Sequence, residues 1–351
     1  MNFLGREILP KSYPLFIAEI SCNHVGKLDN ALTLIAAAKK SKADFVKIQI
    51  YSAEEMTLKS DRPEFKIKSG LWKNSRTLYD LYKKAATPKE WIPELFAYAK
   101  EVGIPIFSSV FGMGGLEALE KHNCQAYKIS SFEFNHIPLI EEVAKLHKPM
   151  ILSTSLANLE EIGSTEYRIQ EISPSTNRIY MHCVSLYPCA LSNANLGRIK
   201  EIETIIGTGR VGFSDHTKSR HTAGLAACMG AKIIEKHFYI PEIGGEDAAF
   251  SFSPKSFKMM VNEARNFYQA CLSRPCDPMG QAFLYMRSIY VVKDIKEGEK
   301  FTKNNIQVIR PIGGMSPKLY NLILSENIPA KYELKAGTPL NGEMVRWKKM
   351  S

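Results

Sequence analysis

The 351-residue chain lacks what would mark it for a membrane or for secretion. Its apolar runs are strand-sized, well short of the ~20 residues that a spanning helix needs. The N-terminal segment MNFLGREILPKSYPLF has no long apolar core leading to a small-residue cleavage site, so no secretory signal is read there and a cytoplasmic protein is expected. The seven cysteines, Cys22, Cys124, Cys183, Cys189, Cys228, Cys271 and Cys276, are odd in number and include no CxxC pair. Several sit inside apolar runs, so reduced and mostly buried thiols are expected rather than a disulfide or zinc framework. No GxGxxG follows an apolar run, which leaves a dinucleotide fold with little support. No long stretch is biased enough to be disordered. The net charge is +10, yet the lysines are scattered, with no arm, stripe or nucleic-acid motif. The excess is read as a basic surface serving an anionic small substrate, with no nucleic-acid partner.

What is present is a repeating texture. Hydrophobic residues make up 45% of the chain, enough for a large domain and a small one. Eight β-branched apolar runs recur: PLFIAEIS (14–21), ADFVKIQIY (43–51), IPIFSSVF (104–111), AYKISS (126–131), MILSTS (150–155), RIYMHCVS (178–185), VGFSDHT (211–217) and KIIEKHFY (232–239). Helix-like stretches separate them, at 30–40, 114–122, 137–146 and 219–229 among others. Apolar strands alternating with helices imply a parallel sheet covered by helices. Eight units in about 240 residues match a closed (β/α)8 TIM barrel over 1–280. The connection from Ser52 to about Trp91 is too long for a simple loop and is read as a substrate-covering lid. After about Leu284 the texture becomes short strands with Gly and Asn turns, a small β-rich domain over 285–351. ARNFYQACLSRPCDPMGQ forms the linker side.

In such a barrel, catalytic residues lie at the C-terminal ends of strands. The polar residues cluster there: Glu19, Asn23 and His24; Lys47 and Gln49; Ser108 and Ser109; Lys128, Ser130, Ser131 and Glu133; Ser153, Thr154 and Ser155; His182, Ser185 and Tyr187; Ser214 to Thr217; and Glu235 to His237. A buried ammonium is costly unless paired. Lys47, Lys128 and Lys236 among many serine hydroxyls therefore read as an anion site for phosphate and carboxylate. Gln49, Asn23 and Ser109 are further candidate substrate contacts. His216 and His237 end adjacent strands, where two neutral imidazoles can share one divalent metal. Asp215 is a candidate partner for a metal-bound histidine, and Glu19 a candidate acid, base or water-orienting group. An anion site beside a metal points to phosphoenolpyruvate chemistry, with the metal acting on an aldehyde oxygen.

The motif series AEISCNHVG, VKIQ, YKISSFE, LSTSLA, HCVSLYP, GFSDHT and EKHF, in that order, resembles the sialic acid synthase family. The segment from RSIYVVKDIKEGE to RPIGGMSP resembles that family's antifreeze-like (SAF, β-clip) domain. The resemblance implies a domain-swapped homodimer that condenses phosphoenolpyruvate with an N-acylated amino-sugar aldehyde and releases phosphate. It implies Mn2+ or Mg2+ on His216 and His237. It places phosphoenolpyruvate on Lys47, Lys128, Ser131, Ser153, Ser185 and Ser214, and Glu19 and Tyr187 at the reaction centre. Asp247 would contact the sugar, and Arg310 would reach the partner's site. TLYDLYKKAATPKEW and GGEDAAFSFSP resemble the pseudaminic branch, whose sugar is 2,4-diacetamido-2,4,6-trideoxy-altropyranose. Synthesis of N-acetylneuraminic or legionaminic acid, and a non-catalytic sugar-binding homologue, are the alternatives. Two motifs depart from the family. SSVFG stands where SSPFD is usual, so Gly112 replaces an aspartate, and STSLA stands for STGMA, so Ser155 replaces a glycine.

Overall fold

The structure is a computed structural model that describes residues 1–68, 70–272 and 280–347. Cys276 and the middle of the expected linker, 273–279, lie outside the described residues, and its first part, 264–271, is the end of the helix Pro254–Cys271. The chain divides into two compact units, Met1–Leu272 and Ser273–Ser351.

The first unit is a closed barrel of eight parallel strands. A two-residue-armed hairpin, β1 (Asn2–Phe3) and β2 (Arg6–Glu7), precedes it. The barrel strands are β3 (Leu15–Glu19), β4 (Phe45–Ile50), β5 (Ile106–Val110), β6 (Tyr127–Ile129), β7 (Met150–Ser153), β8 (Arg178–Cys183), β9 (Val211–Asp215) and β10 (Ile233–His237). β10 pairs with β3 and closes the ring. All eight expected runs contain one of these strands. Helices α1 (Leu28–Lys40), α2 (Ala53–Met56), α3 (Leu78–Ala85), α4 (Ile92–Glu101), α5 (Met113–Lys121), α6 (Ile137–Lys145), α7 (Leu159–Ile172), α8 (Arg198–Ile206), α9 (His221–Cys228) and α10 (Pro254–Cys271) complete the unit. Between β4 and β5, α2 and α3 form the lid and α4 the barrel helix.

Strand side chains alternate between the barrel interior and the helix layer. Pairing is staggered around the tilted barrel, with Lys47 beside Phe107 and Lys128 beside Ile151, so the interior levels are read from the alternation along each strand,. Phe45, Phe107, Ile151, Ile179 and Gly212 are low, at the N-terminal end of the strands. Phe3 of the hairpin packs edge-on to Phe45 and Phe107, at ring separations of 5.3 and 5.5 Å, and plugs that end. Above the apolar level come Lys47, Ser109, Lys128, Glu235, Ser214 and Cys183, and Glu19 pairs in register with both Lys47 and His237. The apolar floor lets the polar groups converge at the open end without water beneath them.

The second unit carries an antiparallel pair, β11 (Ser288–Val291) and β12 (Ile306–Ile309), several isolated bridges and helix α11 (Tyr320–Ser325). Its own core includes Ile289, Val291, Ile295, Phe301, Ile306, Ile323, Leu334 and Leu340. Short strands with turns and one short helix are what the sequence texture implies for this segment.

Candidate active site

A cavity of about 340 Å³ opens at the C-terminal ends of the barrel strands, and all of its lining residues belong to the first unit. It has a charged floor, a histidine corner and an aromatic roof.

The floor is an alternation of charges. Lys47 pairs with the fully buried carboxylate of Glu19 and donates to Ser109 Oγ at 2.8 Å. Lys128 donates to Glu235 Oε1 at 2.6 Å, and the same oxygen accepts from Ser214 Oγ at 3.2 Å and lies 3.9 Å from Lys47 Nζ. Burial pushes the Glu19 carboxyl up, against the pull of Lys47. Burial also works to raise Glu235, but Lys128 and Lys47 outweigh it and hold the group below the ordinary range. Desolvation lowers Lys128. The expected lysine pocket is thus two lysines compensated by two carboxylates. Glu235, which the sequence marks only as one of the strand-end polar residues, shares the inner face of β10 with His237, as a period of two requires,.

Lys236 corrects the expectation. It lies between Glu235 and His237, so alternation turns it to the outer face of β10. There it is fully buried, 3.3 Å from Asp215 Oδ2, bonded to Thr217 O and 4.2 Å from the Phe252 ring centroid. It is a structural ion and does not line the cavity. Asp215 corrects another. Its carboxylate accepts from Thr217 N and Thr222 Oγ1, both at 2.8 Å, and does not reach a histidine ring.

His216 and His237 face the cavity with ring centroids 5.5 Å apart. His216 Nδ1 meets Val184 O at 2.9 Å, which assigns the proton to Nδ1 and leaves Nε2 free,. Burial lowers His216 to about 4 and drives His237 well below its ordinary value, so both rings are neutral. His237 Nδ1 has no hydrogen-bond partner, and Asp247 Oδ2 stands 3.5 Å away. Tyr187 and Phe250 wall this corner, 4.4 Å from His216 and 4.7 Å from His237. No group of three or more metal-ligating side chains exists among the described residues. Two neutral imidazoles, one with an unpartnered nitrogen, fit a divalent ion that takes its other ligands from water and substrate.

The remaining predicted residues divide. Gln49, Ser109, Ser131, Ser153 and Asp247 line the cavity with those above. Ser153 Oγ and Ser185 Oγ are buried without partners, and such donors are costly unless something binds them. Ser185 itself is not a lining residue. Its N–H donates to Ser155 Oγ at 2.9 Å, so Ser155 braces the next loop and stays out of the cavity. Asn23 is also outside the cavity. It donates to Phe238 O and Ser251 Oγ, both at 3.0 Å, and accepts from Asp247 N at 3.2 Å, so it orders the Asp247 loop. Gly245 in that loop has φ +133°, and a Cβ there would lie 2.2 Å from Asn23 Oδ1. Arg310 belongs to the second unit and is exposed.

The roof comes from the lid. Met56, Ile67, Trp72, Leu78, Leu81, Tyr82 and Ala85 line the cavity, and Trp72 lies 5.6 Å from the Tyr187 ring. His24 pins the far end of the insertion, meeting Thr87 Oγ1 at 3.1 Å and Trp91 at 5.2 Å between centroids. Glu133 also lines the cavity, and burial raises its carboxyl to about 7.

Comparison with known proteins agrees with this layout. Residues 34–274 match the NeuB family and residues 286–346 match the SAF domain. The chain is 38% identical to the pseudaminic acid synthase of Campylobacter jejuni over 331 residues, covering 92% of this chain and 94% of that one. It is 38% identical to the pseudaminic acid synthase of Helicobacter pylori over 337 residues, covering 95% and 98%. The crystal structure of the spore coat polysaccharide biosynthesis protein spsE from Bacillus subtilis superposes with a TM-score of 0.66 at 28% identity, covering 99% of each chain. A family match over most of the barrel, with relatives of this identity end to end, shows that the chain belongs to the NeuB family and carries a SAF domain after its barrel.

Proposed function

We propose that the protein is a pseudaminic acid synthase: it condenses phosphoenolpyruvate with 2,4-diacetamido-2,4,6-trideoxy-altropyranose, in its open aldehyde form, to give pseudaminic acid and phosphate. The observation that carries the reading is the cavity. It joins a lysine–serine floor suited to an anion to a two-histidine corner, beneath an apolar, aromatic roof suited to acetamido and methyl groups. The names of the relatives from Campylobacter jejuni and Helicobacter pylori support the choice of sugar.

In this reading Lys47, Lys128, Ser131, Ser153 and Ser214 hold phosphate and carboxylate, with Ser185 Oγ at the edge. Fixing the two reactants together converts a bimolecular encounter into a nearly unimolecular one. A carbon–carbon bond forms between the phosphoenolpyruvate methylene and the aldehyde carbon. Water enters and phosphate leaves, which balances the reaction. Glu19 and Glu235 pair with the two buried lysines and offer carboxylates for proton movement at the floor,. Tyr187 and Asp247 position the aldehyde end of the sugar. A divalent ion, Mn2+ or Mg2+, held by His216 and His237 would supply Lewis-acid polarisation of the aldehyde oxygen. We place Arg310 of one chain at the site of its partner in a domain-swapped homodimer, working in the cytoplasm.

The test is phosphate release with phosphoenolpyruvate, Mn2+ and each candidate sugar, with the product weighed by mass spectrometry. Release with the altropyranose and a product of pseudaminic acid's mass is expected. Release with N-acetylmannosamine alone would overturn the assignment.

A further inference from the structure

Besides the contacts of His24 with Thr87 and of Lys84 with Glu246, one carboxylate ties the start of the lid to a barrel helix. Glu55 ends the first turn of α2, and its Oε2 accepts from Ser52 N at 2.8 Å and lies 3.1 Å from Lys89 Nζ. Its Oε1 leaves the lid and accepts from Gly115 N, the third residue of α5, at 2.7 Å. Helix α5 needs such a partner, because its N-cap is Gly112, which has no side chain to offer,. The same carboxylate thus joins the first residues of the insertion, its last stretch and a barrel helix.

The glycines around it make room for it. A Cβ on Gly112 would sit 2.9 Å from Glu55 Oε1, and one on Gly114 would sit 3.0 Å from both Glu55 Oε1 and Lys89 Nζ. A Cβ on Gly115 would lie 2.6 Å from Ile50 O, so that glycine lets α5 approach the end of β4. The run Gly112–Met113–Gly114–Gly115 is a cradle for a carboxylate that arrives from the lid. Glu55 occupies the space that a side chain at position 112 would enter.

From Glu55 the connection runs to the sugar side of the cavity. Glu54, beside it on α2, accepts from Tyr79 OH of α3 at 2.5 Å. Tyr51, just before α2, packs edge-on to Tyr82 of α3 at 6.1 Å. Helix α3 then presents Leu78, Leu81, Tyr82 and Ala85 to the cavity.

We propose that Glu55 is a positioning residue: by capping α5 from within the lid, it holds α2, and through α2 the α3 wall, in the geometry that receives the sugar. The assignment of that wall to the sugar rests on the synthase reading above. The latch itself does not.

Two variants separate latch from helix cap. Glu55→Ala removes both functions. Adding Gly112→Asp returns a local cap to α5 but does not reconnect the lid. With Glu55 Oε1 and Cγ gone, the aspartate Cβ still lies 3.1 Å from the alanine Cβ, which must give by a few tenths of an ångström. In E55A, hydrogen exchange of α2 and α3 amides, measured without substrate, rises about fivefold or more, the scale of a lost cap. The KM for the altropyranose rises by a similar factor while that for phosphoenolpyruvate stays within about twofold. In E55A/G112D the melting temperature recovers, but lid exchange stays fast and the sugar KM stays high. Recovery of all three in the double variant would overturn the latch and leave Glu55 as a cap alone, as would unchanged lid exchange in E55A. Glu55→Gln, which keeps the shape and loses the charge, is expected to fall between wild type and E55A, and wild-type exchange in it would refute the need for a carboxylate. If no sugar is turned over by the wild type, the synthase reading fails, and the exchange arm still decides the latch.

Discussion

Lys128 and Glu235 are a buried pair whose members need each other. Taking two charges out of water is repaid only while both are present, and removing one partner leaves the other stranded. Lys128→Met keeps the length of the side chain and strands Glu235, whose remaining contacts are Ser214 Oγ at 3.2 Å and Lys47 at 3.9 Å. The expected cost is about 3 kcal/mol or more in urea denaturation, together with loss of phosphate release. Glu235→Gln on top of Lys128→Met is expected to return most of the stability and none of the turnover. A double variant as unstable as the single would show that the pair is not what holds the floor. Glu133 offers a second check. Its folded value, about 7, is raised by burial above the usual 4.5, so it disfavours the folded state as pH rises through 7 and is neutral in effect below about 4.5. Glu133→Gln is therefore expected to raise the melting temperature by a few degrees at pH 8 and leave it unchanged at pH 4. An equal change at both would remove the titration from the account. These residues also mark how far sequence carries. Lys47 and Lys128 were legible because charged residues inside apolar strands demand partners. Lys236 was legible as buried but not as idle. Its face follows only once the strand's register is fixed, and a shift of one residue exchanges the two faces.

At the scale of elements, the eight strands were legible because a parallel barrel needs apolar runs on both faces, and the sequence repeats them with helices between. The insertion between β4 and β5 was legible as a lid from its length alone. Its attachment was not. Glu55 and Gly112 stand far apart in sequence, and nothing in either segment names the other. The one local trace is a glycine-rich run at the start of a helix, which without coordinates reads as a weak helix N-terminus. The roof gives a prediction at this scale. Trp72 packs against Tyr187 across the cavity, 5.6 Å between ring centroids, and Tyr187 packs on His216 and Phe250. An aromatic pair of this kind contributes ~0.5–1.5 kcal/mol beyond its buried area. Trp72→Ala is expected to raise the KM for the altropyranose about three- to tenfold, with the phosphoenolpyruvate KM little changed. A variant that instead loses phosphoenolpyruvate affinity would place the indole over the anion half of the site.

At the scale of the whole molecule, the two units have separate cores, and the barrel cavity is lined by the first unit alone. The role proposed for Arg310 is at the partner's site and so concerns a pair of chains. In a closed two-fold dimer each chain would lend its arginine to the other's barrel. This can be read without a structure of the dimer, by mixing an impaired protein with a dead one at a sugar concentration well below the raised KM. Arg310→Ala should retain a sound barrel and lose the arginine, so its sugar KM should rise more than its phosphoenolpyruvate KM. Lys128→Met should retain the arginine and lose the barrel chemistry. If the arginine acts across the dimer, a mixed dimer contains one site with the intact barrel of the first chain and the intact arginine of the second. Random reassociation makes half of the dimers mixed, each with one good site of two, so about a quarter of wild-type turnover should return. If the arginine serves its own barrel, every mixed site is missing one of the two groups and mixing restores nothing. Subunit exchange, followed by a mass tag on one variant, tells a true negative from chains that never exchanged. Turnover that stays at the sum of the two parents after exchange would remove Arg310 from the partner's site.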